Sequence, residues 1–294
     1  MIIRAQALAA GLVLAGAACA APSAAPSFAY DTAEIPPPPA WGPVTTPAPG
    51  VTARSITFFS GDRGINGEVI QGAGVGPHPA VLWVHWLGEP ATTNHTEFEA
   101  DAIALAQQGV TSLLIDAPWA KRGWFGPLGA DADADLKSST DTVIELRRSL
   151  DMLMMQPDVD PKRVAFVGHD FGAMFGMLMA SADHRPNWYV LMAPNSSIGE
   201  WYLWEKQKPD RAAYLARLAA LDVPTFLRQA KAKGFLLQFS AHDVYITAAN
   251  AKAIVDATPG PHEVKTYDVD HGLELPTVHA DRLAWLRARL LPRS

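Results

Sequence analysis

Three features of this 294-residue chain predict an α/β fold, a mostly parallel eight-stranded sheet with helices on both faces and a small helical lid. From about residue 80 onward, short apolar runs alternate with longer segments of helical spacing, a pattern that lays strands side by side through helical crossovers. Two strand-like runs come first, with no helix between them. The hydrophobic fraction of 49% and the length supply a large core, and the one cysteine cannot close an internal disulfide.

The elements follow in order. Residues 55–59 and 67–70 read as two early strands joined by Gly-Asp-Arg-Gly turn chemistry. Residues 80–85 form an unbroken apolar strand ending at His85, and residues 96–108 carry Phe98, Ala102, Ile103, Leu105 and Ala106 at helical spacing, closed by Gly109. Then come a strand at 111–115, a helix at about 138–155, a strand at 163–167, a helix from about Gly172 and a strand at 188–192. Residues 195–233 are a helical insertion. The last elements are a strand at 235–239, a helix at 248–257, a strand at 263–267 and a helix from about 281 to 291. Arg147-Arg148, between Glu145 and Asp151, reads as a solvated or ion-paired helix face.

The N-terminus is a separate matter. Arg4 precedes an uncharged run of Ala, Leu, Val and Gly over residues 5–18, too short to span a bilayer and typical of an export signal. Cleavage fits the small-residue pattern Ala18-Cys19-Ala20, giving a signal over residues 1–20; cleavage just before Cys19, with a lipid then attached to it, is the alternative. Either route puts the mature protein outside the cytoplasm: periplasmic, secreted, or lipid-anchored to a bacterial membrane. Residues 21–50 hold nine of the 24 prolines and read as an extended linker, leaving 51–294 as one domain with residues 195–233 as its lid.

Charge narrows the partners. With 24 Lys+Arg against 30 Asp+Glu and no basic cluster, nucleic acid is not expected, and a membrane enters only through a lipid on Cys19. His85, His95 and His242 lack ligand spacing, so neither metal nor cofactor is expected, and the partner is a small-molecule substrate. Oligomeric state is left open.

The chemistry concentrates at Gly168-His169-Asp170-Phe171-Gly172, where a strand runs into a Gly-x-Asp-x-Gly turn and a helix follows. This is the context of a nucleophile elbow, whose glycines permit a strained turn and close helix–strand contact; a plain helix-capping role for Asp170 is the competing reading. Asp243 follows the strand at 235–239, and His271 follows the strand at 263–267, so nucleophile, acid and base stand in the chain order this context requires. Asp268 and Asp270 are rival acids on the histidine's own loop.

Residues 51–294 resemble the α/β-hydrolase superfamily. The Gly-His-Asp-Phe-Gly stretch resembles the Gly-His-Asp-Trp-Gly elbow of haloalkane dehalogenases and epoxide hydrolases, while the compact body, with Glu97-Phe98 and Trp119 before the elbow, looks more like the dienelactone-hydrolase branch. The resemblance implies Asp170 as nucleophile, His271 as base and Asp243 as its partner. Two departures stand out: His85-Trp86-Leu87-Gly88-Glu89-Pro90 replaces the His-Gly-x-Pro turn of the dehalogenases, and the lid is smaller than theirs. Dienelactone hydrolases, for their part, carry cysteine at the elbow.

An aspartate can displace a halide or open an epoxide at saturated carbon without first being deprotonated by a base, and His271 would then activate water against the alkyl-enzyme ester. Carbon–halogen or epoxide hydrolysis is therefore the first expectation for a small apolar substrate. Ester or lactone hydrolysis of the dienelactone-hydrolase type is the second, with Asp170 as nucleophile or as base on water; a tethered binding protein without catalysis is the third. The fold template assigns the oxyanion N–H groups to Trp86 and Phe171. Substrate contacts are expected from Trp86, Trp201, Tyr202 and Trp204, with Tyr202 and Tyr214 as acids for an epoxide oxygen; packing of the lid's own core is the competing reading for its aromatics. Asp116, with Trp119 and Trp124, is a further candidate for shaping the pocket.

Overall fold

The computed structural model describes residues 26–33, 36–88 and 93–291. The export signal and Cys19 lie outside the described residues. Among those described, the sheet has nine strands rather than eight. They are β1 (Ala40–Ala48), β2 (Val51–Ser60), β3 (Arg63–Gly72), β4 (His78–Val84), β5 (Thr111–Ile115), β6 (Val159–His169), β7 (Trp188–Met192), β8 (Gly234–Ser240) and β9 (His262–Tyr267), in the spatial order β1-β2-β3-β5-β4-β6-β7-β8-β9. β1, β2, β3 and β5 pair antiparallel in succession, and every pairing from β5 to β9 is parallel.

The extra strand corrects the linker expectation. Part of 21–50 is built into the domain: β1 pairs with β2, and its two register shifts fall at the steps that contain Pro43 and Pro47, where an edge strand tolerates a missing N–H. Before β1, Phe28 is buried against Phe226. Tyr30 donates to Asp151 while the guanidinium groups of Arg147 and Arg148 lie over its ring. The Arg147-Arg148 stretch is ion-paired, as expected, through Arg147 and Asp183, and it also holds the N-terminal segment with bonds to the carbonyls of Phe28 and Asp31.

The helices are α1 (Glu99–Ala106), α2 (Ala132–Met154), α3 (Phe171–Ala182), α4 (Ile198–Tyr202), α5 (Arg211–Leu218), α6 (Val223–Leu227), α7 (Ala248–Ala257) and α8 (Pro276–Leu290). Strand alternation sorts the core into two layers. In β4, Ala80, Leu82 and Val84 join the cluster that includes residues of α2, α3 and α7, while Val81 and Trp83 join the one that includes residues of α1 and α8. α2 starts at Ala132, earlier than the apolar spacing indicates, because Asp131 caps it through the N–H groups of Asp133 and Ala134. α4, α5 and α6 form the insertion between β7 and β8.

Candidate active site

The centre of the site is the turn between β6 and α3. Asp170 occupies it with φ 50° and ψ −113°, a conformation costly for a residue with a Cβ. The turn is held on both sides: the Asp170 N–H donates to the Met192 carbonyl at 2.8 Å, and the Met174 N–H to the Asp170 carbonyl at 2.9 Å. A Cβ on Gly172 would sit 2.2 Å from the Val84 carbonyl oxygen, and one on Gly168 2.6 Å from the Gly172 backbone. Backbone cannot yield as a side chain does, so Gly172→Ala is expected to destabilise the domain by more than about 3 kcal/mol, read by chemical denaturation. A variant with native stability would contradict this account of the turn.

Asp170 is 1% exposed. Its Oδ2 accepts from the Leu87 N–H at 3.3 Å, and the Phe171 N–H also favours its charged form. Oδ1 has no hydrogen-bond partner among the described residues. Burial pushes the carboxyl up to about 6, against the opposing influence of His271, His169 and the two N–H groups.

His271 and Asp243 meet beside it. His271 Nδ1 lies 2.8 Å from Asp243 Oδ2, and Asp243 Oδ1 accepts from the N–H groups of Tyr245 and Ile246 at 2.9 Å each. Burial disfavours the charged form of His271, but the bond to Asp243 and the charges of Asp170, Asp243 and Glu97 outweigh it and raise the imidazole above its ordinary value. Burial likewise raises Asp243, and its bonds to His271, Ile246 and Tyr245 overcome that and hold it below the usual carboxylate range. The rival Asp268 pairs with His242 at the surface, and the carboxylate of Asp270 accepts only from the N–H of Gly272 among the bonds described.

Asp170 and His271 line one cavity of about 280 Å³ with Trp86, Leu87, Gly88, Phe125, Trp201, Trp204 and Tyr245. Trp86, Trp201 and Trp204 thus stand where substrate contact is expected of them. Tyr202 does not: it is fully buried, with its hydroxyl 2.9 Å from Ser139 Oγ on α2, because one step from Trp201 turns it about 100° around the helix. Tyr214 is also turned inward and donates to Asp135 at 2.7 Å. Asp116 accepts from the His95 N–H at 2.9 Å and lines a separate surface cleft with Trp124. Trp119 is buried and donates from its indole to the His85 carbonyl.

The N–H of Trp86, the oxyanion donor expected on the β4 loop, is already bonded. The Trp86 N–H is taken by Glu97 Oε2 at 2.8 Å, and the Leu87 N–H reaches Asp170 instead. His85 fixes this loop. Its Nε2 accepts from the Ala117 N–H at 3.1 Å, so the proton resides on Nδ1 and is donated to the Trp86 carbonyl at 2.8 Å. Three neighbours of the site escape a sequence reading: Tyr245, whose ring meets His271 edge-on at 5.0 Å, the buried His169, and Glu97, bonded to His169. His169 had a signal, since a polar side chain ending an apolar buried strand needs partners. Among the described residues there is no group of three or more His, Cys, Asp or Glu suited to hold a metal ion, and no helix long and apolar enough to cross a membrane.

No protein-family model matches the chain, and no curated protein matches it. Solved structures do. It is similar to an acetyl xylan esterase from Paenibacillus sp. R4, with a TM-score of 0.71 and 17% identity over 86% of this chain and 89% of that one. Acetyl xylan esterase 1 from Thermoanaerobacterium sp. JW/SL YS485 gives 0.71 and 16% over 88% and 89%. A cold-adapted esterase from an Arctic intertidal metagenomic library gives 0.62 and 15% over 85% and 99%. At these identities the likeness speaks to architecture, and the strand order, the turn after β6 and the crossovers agree with it: the chain has the α/β-hydrolase fold.

Proposed function

We propose that this chain is a hydrolase of small carboxylic esters that works through Asp170, His271 and Asp243. The observation that carries the reading is the convergence, on one aromatic cavity, of a carboxylate with an unpartnered oxygen and an imidazole bonded to a second carboxylate. The substrate class comes from the esterases that share the fold. In this mechanism Asp170 Oδ1 attacks the acyl carbon, the bond to the leaving oxygen breaks, and that oxygen takes a proton from His271. Water, giving its proton back to His271, then cleaves the acyl-aspartyl anhydride and frees the acid and Asp170. A carboxylate leaves the tetrahedral intermediate faster than an alkoxide does. The preferred esters are therefore those with acidic leaving groups, aryl or enol esters rather than simple alkyl ones.

One observation favours a second reading, hydrolysis at a carbon–halogen or epoxide carbon. The N–H groups of Leu87 and Phe171 bond the carboxylate of Asp170 itself. Displacement by Oδ1 at saturated carbon would leave Oδ2 as the carbonyl of an alkyl ester already seated on those donors, ready for attack by water. The place of action is read from residues 1–20 alone, as that of an exported enzyme, either free or anchored through Cys19.

The test is turnover of three panels, aryl and enol esters, haloalkanes, and epoxides, followed across pH. On the preferred panel kcat/KM is expected to rise with pH through about 6, because attack needs ionised Asp170 and protonation below that value removes the nucleophile. Turnover confined to haloalkanes or epoxides would replace the first reading by the second. Inactivity on all three panels would leave a binding protein that keeps the fold.

A further inference from the structure

We propose that Glu97 and the buried His169 form an ion pair that positions Trp86 and the Leu87 N–H and places a positive charge beside the carboxylate of Asp170. The proposal rests on the reading of Asp170 as nucleophile, and both residues act through neighbours, as positioning residues.

Hydrogen-bond bookkeeping leads there. His169, the last residue of β6, is 0% exposed. Its Nε2 lies 3.1 Å from the carbonyl oxygen of His271, which can only accept, so Nε2 carries a proton. Its Nδ1 lies 2.8 Å from Glu97 Oε1, while Glu97 Oε2 accepts the Trp86 N–H at 2.8 Å. With Glu97 as the carboxylate, Oε1 accepts and the second ring nitrogen donates as well; a carboxylic acid donating from Oε1 to a bare Nδ1 is the opposing arrangement, which the ring measurement below separates from it. In the first arrangement the ring is an imidazolium and the pair is ionic, with the imidazole fully enclosed and the Glu97 side chain 10% exposed.

Three loops converge on this pair. Glu97 sits in the 3-10 turn His95–Phe98 before α1 and holds the backbone of the β4 loop; His169 holds the backbone of the His271 loop. The Trp86 indole stacks on the His169 ring at 5.3 Å and 21°, a cation–π contact that sets one wall of the cavity. Fixing Trp86 at both backbone and ring fixes the next residue, Leu87, whose N–H reaches Asp170. The ionisable groups facing Asp170 are His169 from its own strand, with Glu97 behind it, and His271 from the loop after β9, with Asp243 behind it. Of these, the two imidazoles favour its ionised form.

Ring nitrogen NMR of the wild-type protein tests the pair without any substrate. Both nitrogens of His169 are expected to carry protons at neutral pH; one bare nitrogen would overturn the ion pair. Its influence is tested with Glu97→Gln, in which the amide retains an acceptor but the imidazolium, without its counter-charge, gives up its second proton, so that the positive charge beside Asp170 is lost. The Asp170 carboxyl, followed by carbon NMR, is expected to titrate higher by on the order of one pH unit. On the substrate that the wild type turns over, kcat is expected to fall about tenfold or more with KM little changed. An Asp170 titration unmoved in a folded Glu97→Gln protein would overturn the positioning role even if His169 is doubly protonated. Should Asp170 prove not to be the nucleophile, the wild-type ring measurement still decides whether the pair exists.

Discussion

Asp170→Asn should abolish turnover, by roughly 10⁴-fold or more, and at the same time make the protein more stable at neutral pH. The first effect follows from replacing the attacking oxygen with an amide that cannot form the covalent bond. The second follows from burial. In the folded protein Asp170 is raised to about 6, so folding holds its proton more tightly than the unfolded chain does. Stability tied to that proton is fully present below about pH 4 and is lost as pH rises through about 6, a difference of up to roughly 3 kcal/mol. Asparagine carries no charge to bury. Its melting temperature should exceed that of the wild type by several degrees at pH 8, and the gap should close near pH 4. Equal melting curves at both pH values would mean that Asp170 is not held charged at a cost; full activity would remove it from the chemistry altogether.

His271→Gln carries the next largest effect. Without a base to activate water the second half of the reaction should slow by roughly 10³-fold, while attack by Asp170 continues on halides and on esters whose leaving group is acidic enough to depart without a proton from His271. One equivalent of substrate should therefore remain attached, visible by intact mass and mapped to the peptide containing Asp170. The added mass separates the two readings: an acyl group marks attack at an ester carbonyl, an alkyl or hydroxyalkyl group marks displacement at saturated carbon. A variant that still turns over at the wild-type rate would show that water is activated elsewhere.

Much of this architecture was legible from apolar periodicity. The runs at 80–85, 111–115, 188–192 and 235–239 are strands to within two residues at each end, since strands buried on both faces leave an unbroken apolar signature. β1 was not, because Pro43 and Pro47 mark a segment as extended linker unless its neighbour is known, and pairing with β2 is a tertiary fact. The site divides in the same way. Asp170, Asp243 and His271 were marked by strand ends and chain order, which are local. Glu97 is 72 positions from His169, and nothing near it in sequence reveals the partner. The substitution of Leu87 for Trp86 at Asp170 has a similar origin: which of two adjacent N–H groups faces the turn depends on Glu97 occupying the first.

The proline-bearing strand at the start of the domain also bears on how the protein behaves among copies of itself. A nine-stranded sheet has two open margins, each a row of backbone groups able to recruit a strand from another molecule. At one margin the irregular backbone around Pro43 and Pro47 interrupts the hydrogen-bonding register that such recruitment needs. At the other, β9 presents His262, Glu263 and Lys265, whose charge and hydration resist it. A protein trimmed back to Val51 would lose this interrupted edge together with the anchor at Phe28, and it is expected to self-associate more readily than the full chain, as light scattering would show.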